Sequence, residues 1–231
     1  VHTLPCGYRE FSFYRNPGAD MMLSESDIDY KLVQNSRIFH FGSLSMTGEI
    51  CEAATKKAVE TAKESGAIIS FDPNLRENLW DSLDKAREKI AYGISECDIL
   101  KISDNEIQWF TGEQDFDRAV EILRGRYGNI KLLLLSLGKN GSRAYCGENS
   151  AFAPAVPANT IETTGAGDTF CGGILAKVLE YGLRNYSAEE LTGILNYANS
   201  AAGIVTERRG ALKVMPSPAE INERMERITN D

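Results

Sequence analysis

Four leucines in a row, residues 132–135 between Lys131 and Ser136, constrain the fold more than any other feature of this sequence. A strand with one wet face alternates apolar and polar residues. A strand apolar at every position must be covered on both faces, as in a parallel sheet between layers of helix. "AIISFD" (67–72) and "DILKIS" (98–103) are further short strands of the same kind, and "RIFHFGS" (37–43) precedes them. Between them lie stretches with helical spacing: "GEICEAATKKAVETAKESG", stopped by Gly66, then "LDKAREKIAYGISEC", "NEIQWFTG" and "FDRAVEILRGRYG". Strands alternating with helices over short connections predict an α/β fold, doubly wound around a mainly parallel sheet. "SRAYCGENSAFAPAV" predicts a hairpin, and "SAEE" at Ser187 and "SPAE" at Ser217 are capping boxes that start the last two helices. No repeat, low-complexity segment or linker divides residues 1–231, so one domain is expected.

Charge and composition exclude several function classes. The net charge is −8, and the longest basic cluster is "ERR" at 207–209, so no basic face is offered to nucleic acid or an acidic membrane. Five cysteines (Cys6, Cys51, Cys97, Cys146, Cys171) stand apart with no CxxC pair, as reduced packing thiols do in a cytoplasmic protein. With only His2 and His40, a histidine metal centre or a Ser-His-Asp triad has little to draw on. No apolar run approaches the roughly 20 residues of a membrane span, and no signal peptide is visible.

In open parallel sheets, ligands bind at the carboxyl ends of the strands. Four such ends carry polar residues here: Gly42–Ser43, "DPNLR" (72–76), "SDNE" (103–106) and "SLGKNG" (136–141). A fifth segment, "TTGAGDTF" (163–170), converges on the same edge. Its Gly-Ala-Gly turn leads into an apolar helix whose first N–H groups have no side chain beside them, and such an end attracts anions. Asp168 then places a carboxylate next to that anion site. This suits a place where phosphate is transferred: Asp168 takes a hydroxyl proton, while Gly165, Ala166 and Gly167 offer N–H groups to the phosphoryl charge. The plainer alternative is a glycine-rich helix start with Asp168 as a dipole partner. The loop is neither a P-loop nor a dinucleotide fingerprint, so a dehydrogenase is set aside.

"ETTGAGDTFCGGIL" resembles the C-terminal signature of the PfkB/ribokinase family of sugar kinases, and "FYRNPGADMML", "FHFGSLS", "DPNLRENLW" and "LSLGKNGS" are similar to its fructokinase branch. The resemblance runs along nearly the whole chain. It implies a ribokinase-like fold and phosphoryl transfer from ATP to a sugar hydroxyl, with Mg2+ and in many members K+. Asp168 matches the catalytic base. "SDNE" stands where the family has N-x-x-E, so Glu106 would organise Mg2+ through water, with Ser103 in place of the usual Asn. Ser136, Gly138 and Gly141 match the nucleotide-binding strand end. Arg15, Asp72, Asn74 and Arg76 match the sugar contacts. Glu162 replaces the first Asp of the signature, and with Thr164 and the carbonyls of Val205, Arg208 and Gly210 it would line a monovalent-cation site. Without the resemblance, Glu106 reads as a first-turn helix acid, "KNG" as a β-turn and Arg15 as a surface residue.

The family also implies a small β lid, here residues 1–23, whose strands pair between subunits, so a homodimer is expected. The family's opening strand, Asp-x-Asn segment and Gly-Gly pair do not precede Val1. The expectation is therefore a chain that starts inside the lid, exposes a strand edge and is inactive or poorly soluble by itself. D-Fructose is the foremost substrate, with 2-keto-3-deoxygluconate as the runner-up. A kinase-like binding protein without turnover remains the alternative of another class.

Overall fold

The computed structural model describes residues 2–3, 9–10, 13–15 and 18–230. At the N-terminal end, β1 (His2–Thr3) pairs antiparallel with β2 (Arg9–Glu10). These four residues and the one-turn helix Ala19–Met22 are what the structure describes of regular structure in the expected lid; residues 13–15 lie outside any strand. The rest of that segment lies outside the described residues.

A short helix α1 (Tyr30–Gln34) leads into the sheet. The chain then runs β3 (Ile38–Gly42), α2 (Glu49–Glu64), β4 (Ile68–Asp72), α3 (Leu83–Glu96), β5 (Ile99–Ser103), α4 (Asp104–Thr111), α5 (Phe116–Arg126) and β6 (Leu132–Ser136). Next come the hairpin β7 (Ser142–Cys146) and β8 (Asn149–Ala153), followed by α6 (Ala166–Tyr181), α7 (Ala188–Thr206) and α8 (Pro218–Asn230). The six strands stand in the order β3-β4-β5-β6-β7-β8; β3 to β6 are parallel, and the hairpin adds two antiparallel strands. Among the described residues β3 pairs with β4 alone, so its outer side is a sheet edge.

Strand alternation distributes side chains between two layers. Ile69, Phe71, Leu100, Ile102, Leu133 and Leu135 face α2, α3, α4 and α5 in one buried cluster. Ile99, Leu132, Leu134 and Ala144 face α6 and α7 in the other. The second face is where the sheet turns polar near its carboxyl end. In the same alternation as Ile99, Ile38 and Ile68, it carries His40, Ser70, Asp72 and Lys101 beneath α6. The predicted capping boxes at Ser187 and Ser217 are both present, and Ser103 with Glu106 forms another at the start of α4.

Candidate active site

The carboxyl ends of β3 to β6 meet in register: Gly42 lies opposite Asp72, and Ser103 opposite Ser136. The turn after β4 is fixed at every residue. Ser43 donates from both its backbone N–H and its hydroxyl to the Pro73 carbonyl. Asn74 sits at φ +46°, the only non-glycine residue with positive φ among those described. Asp72 Oδ1 accepts the Asn74 N–H at 3.2 Å, an Asx turn that offsets the strain of the left-handed backbone. Leu75 N–H donates to Glu106 Oε1 at 2.7 Å, and the Arg76 guanidinium donates to the Leu75 carbonyl at 2.9 Å.

Glu106 is thus a bracket between two strand ends. Its Oε2 accepts from the Ser103 backbone N–H at 2.9 Å and from the Ser103 hydroxyl at 2.8 Å, closing the capping box of α4. Asp72, expected among the sugar contacts, is buried. Its Oδ2 pairs with Lys101 Nζ at 2.8 Å. Burial pushes Asp72 up to about 6, against the pull of Lys101 and with the help of Glu106 and Asp168. For Lys101, burial opposes the charge, but Asp72 and Glu106 outweigh it, and its pKa lies above the ordinary lysine value. Both groups are therefore charged at neutral pH. Beside them, His40 Nδ1 lies 2.9 Å from the Ser70 hydroxyl, and burial lowers the His40 pKa.

The glycine loop ends at Gly165, φ +80°, which is the N-cap of α6 and supplies no side chain to its N–H groups. Asp168, in the first turn, is exposed. A cleft of about 720 Å³ opens between this helix start and the strand ends. Asn74, Arg76, Glu106, Ser136, Gly138 and Gly141 of the predicted site line it, as do Ala166 and Gly167. Gly141 has a structural reason as well: at φ +103°, a Cβ there would stand 2.1 Å from the Ala153 carbonyl oxygen. Arg15 is placed elsewhere, at the end of β3. It donates to the Leu44 carbonyl at 3.2 Å and pairs with Asp20 at 2.6 Å.

Of the residues expected around a monovalent cation, Glu162 meets Gly210 and Arg208 meets Val205. Ile161 and Glu162 donate their N–H groups to the Thr206 carbonyl, at 2.8 and 2.9 Å, which docks the loop onto the end of α7. Glu162 Oε2 accepts the Gly210 N–H at 3.1 Å, and the Val205 carbonyl accepts the Arg208 N–H at 3.2 Å. The Arg208 side chain turns away, to the Val214 carbonyl and Glu220.

Lys101 is the site residue that motif reading missed. Its signal was present: a lysine inside the otherwise apolar strand "DILKIS" must either find a partner or face a ligand.

Two buried hydroxyls, Thr164 Oγ1 in the loop and Thr169 Oγ1 in the first turn of α6, have no hydrogen-bond partner in the chain. Neither residue lines the cleft; the uncapped helix end does, and it fits an anionic ligand there. Among the described residues, no three His, Cys, Asp or Glu side chains cluster as a metal cage. A Mg2+ here would be held by one or two carboxylates with water and nucleotide oxygens, as that ion prefers.

The family model for pfkB family carbohydrate kinases matches residues 1–218. The chain belongs to this family. Curated relatives include the probable fructokinase-2 of Arabidopsis thaliana, 39% identical over 214 residues, covering 93% of this chain and 65% of that protein. Fructokinase-1 of Oryza sativa subsp. japonica is 36% identical over 220 residues, covering 95% and 68%. The chain therefore spans about two thirds of the length of the curated kinases it matches. A crystal structure of fructokinase with bound ATP from Xylella fastidiosa superposes with a TM-score of 0.87 at 25% identity, covering 96% of this chain and 71% of that one. A Vibrio cholerae O395 fructokinase, in a form with bound fructose, ADP and calcium ion, gives a TM-score of 0.82 at 26% identity, covering 90% and 66%. The fold is that of these kinases, and among the described residues no helix is long and apolar enough to cross a membrane.

Proposed function

We propose that this pfkB-family chain carries the phosphoryl-transfer centre of an ATP-dependent sugar kinase, with D-fructose phosphorylated to fructose 6-phosphate. The observation that carries the reading is an exposed carboxylate, Asp168, one turn into a helix whose uncapped N-terminus borders the cleft. Asp168 removes the proton from the sugar hydroxyl as that oxygen attacks the terminal phosphorus of ATP. The bond from this phosphorus to the bridging oxygen breaks, ADP leaves with the electron pair, and Asp168 later passes its proton to water. The N–H groups of Gly165 and Gly167 meet the charge on the transferred group in a pre-arranged site, with Ala166 joining them once its N–H leaves the Thr163 carbonyl, to which it donates at 3.2 Å.

Ser136, Gly138 and Gly141 take the nucleotide side of the cleft, and Asn74 and Arg76 the sugar side. Arg15 contributes to the sugar side only by leaving its bonds to Leu44 and Asp20 at the end of β3, and Asp72 acts on the sugar through the turn it braces. Glu106 would hold Mg2+ through water, and the ion when bound would neutralise charge on the phosphates. Glu162, Thr164 and the carbonyls of Val205, Arg208 and Gly210 form the place for K+. Crystal structures of relatives bearing ATP and Mg2+, or fructose, ADP and potassium ion, support both ions. A homodimer through the lid is part of the same reading, supported by the exposed Phe13 and Tyr14 beside Arg15. Four unpaired buried thiols fit a reducing compartment, the cytoplasm first; one relative is named chloroplastic.

The test is ATP consumption with D-fructose and Mg2+, comparing the chain with Asp168→Asn. The variant is expected to lose about 10²–10⁴-fold in kcat with an unchanged Tm, because Asp168 is exposed. A variant as fast as the wild type overturns the role of Asp168. A wild type that binds ATP but transfers nothing to fructose or 2-keto-3-deoxygluconate, even with the upstream sequence of the family restored, overturns the catalytic reading in favour of a binding protein.

A further inference from the structure

One wall of the cleft is irregular backbone. After β8, residues 154–160 adopt no regular structure, and Ala155, Val156, Pro157, Ala158 and Thr160 border the cleft. The wall belongs to the nucleotide side, because it starts against the Gly141 turn, where a Cβ would stand 2.8 Å from the Ala155 nitrogen. It then runs along α7, with Val156 3.6 Å from where a Cβ on Gly203 would be. Such a wall keeps its shape only through bonds to the elements around it.

Both ends of the wall are tied to α7. The Asn199 side-chain amide donates to the carbonyls of Ala153 and Pro154, at 3.2 and 3.0 Å, and the Ile161 N–H donates to the Thr206 carbonyl at 2.8 Å. The middle is held from α8, which does not line the cleft. Arg224 Nη1 donates to the Pro157 carbonyl at 3.2 Å, and its Nη2 pairs with Glu207 Oε2 at 2.6 Å. Glu207, the C-cap of α7, accepts the Asn159 N–H on its other oxygen at 3.1 Å. The guanidinium therefore grips the wall twice, once directly and once through a carboxylate. Both side chains of the pair are mostly buried, and Arg224 holds the Glu207 carboxyl below its usual range against the effect of burial.

Docking α8 does not require this arrangement. Ile221 already packs against Tyr197, Ala201 and Ile204 of α7, and Arg208 already pairs with Glu220. One turn beyond Arg224, Arg227 pairs with Glu223 of its own helix, and both of those side chains are exposed. Arg224 differs in spending its donors on the backbone and the carboxylate that shape the wall.

We propose that Arg224 is a positioning residue for the nucleotide: through the Pro157 carbonyl and Glu207, the last helix holds residues 155–159 in the shape that receives the ligand, and so sets nucleotide affinity without touching it. The proposal rests on the kinase reading for the identity of that ligand. It differs from a purely structural role, in which Arg224 only fastens α8 and the cleft is indifferent to its loss.

Calorimetric titration of the full chain with MgADP and with MgATP, well below Tm, separates the two. The proteins are the wild type, Arg224→Met, Arg224→Lys and the control Arg227→Ala. The expected result is a Kd raised about three- to tenfold for both nucleotides in Arg224→Met, since the ligand must then order the wall itself. Arg224→Lys, which keeps the charge and can serve one acceptor, should lie between, and it carries the test if the methionine variant does not fold. Arg227→Ala should bind as the wild type does. A fall in Tm with Kd unchanged in a folded Arg224 variant overturns the proposal and leaves a structural arginine. An equal loss of affinity in Arg227→Ala overturns it too, because any change to the charge of α8 would then suffice. A wild type that binds neither nucleotide refutes the kinase reading and this inference with it. A wild type that binds both but phosphorylates no sugar, even with the upstream sequence of the family restored, refutes the sugar-kinase reading alone.

Discussion

Replacing Glu106 with alanine removes the acceptor that ties three segments together at the strand ends. Two backbone N–H groups, those of Leu75 and Ser103, and one hydroxyl lose a charged partner at 2.7, 2.9 and 2.8 Å. Bonds to charged groups contribute about 1.5–3 kcal/mol each when dry. The carboxylate is only partly buried and borders the cleft, so water replaces part of what is lost. About 1 kcal/mol per stranded N–H and about 1 for the broken capping box give a destabilisation of about 2–4 kcal/mol. At 231 residues each kcal/mol moves Tm by about 2–4 °C, so a fall of roughly 4–16 °C is expected.

Thermal unfolding followed by tryptophan fluorescence reads this directly, since Trp109 lies on the helix that Glu106 caps. Glu106→Gln, which keeps one acceptor and loses the charge, should fall between the two. A Tm within about 2 °C of the wild type would refute the reasoning and show that these bonds are replaced by water at no cost. The same variants test the Mg2+ proposal: a rise in the Mg2+ concentration needed for half-maximal rate, out of proportion to the loss in Tm, marks Glu106 as more than a brace.

Gly93→Ala would place a methyl carbon 2.3–2.6 Å from ring atoms of Phe71, a side chain with no exposed surface. Overpacking of this kind costs about 1–3 kcal/mol and should lower the urea midpoint; an unchanged midpoint would show that the ring moves freely. Asp72 makes stability depend on pH. Its pKa rises from 3.8 to about 6 on folding, so between those values the folded chain binds more protons than the unfolded one, and the Asp72 contribution weakens as pH rises. Asp72→Asn should therefore gain stability relative to the wild type from pH 4 to pH 6.5, as measured by urea unfolding. A flat or falling difference would count against the buried, charge-penalised carboxylate.

The sheet was legible because its signal is local. Uninterrupted apolar strands such as residues 132–135 can be satisfied only between two layers, and the helical stretches between them supplied one of those layers. The hairpin and both late capping boxes were likewise written in a few adjacent residues. The β lid expected over residues 1–23 is described only in part: β1 and β2 pair there, and residues 13–15 lie outside any strand.

The candidate site divides in the same way. Sequence by itself determined which residue types gather at the sheet's carboxyl edge, because parallel topology sends every strand end there, and it singled out the glycine loop with Asp168. What each carboxylate does was decided by tertiary structure. Asp72 and Glu106 read as ligand contacts from their motifs, yet each also braces the Asn74 turn through bonds to residues up to 31 positions away. Lys101 needed the fold most of all. Its strand shows only that a cation lies inside; its meeting with Asp72 and Gly167 depends on the pairing of β4 with β5 and on α6 crossing above them. A charge in a chain has no environment until the chain is folded. The partner it finds and the water it loses are properties of three-dimensional packing, which no spacing along the sequence encodes.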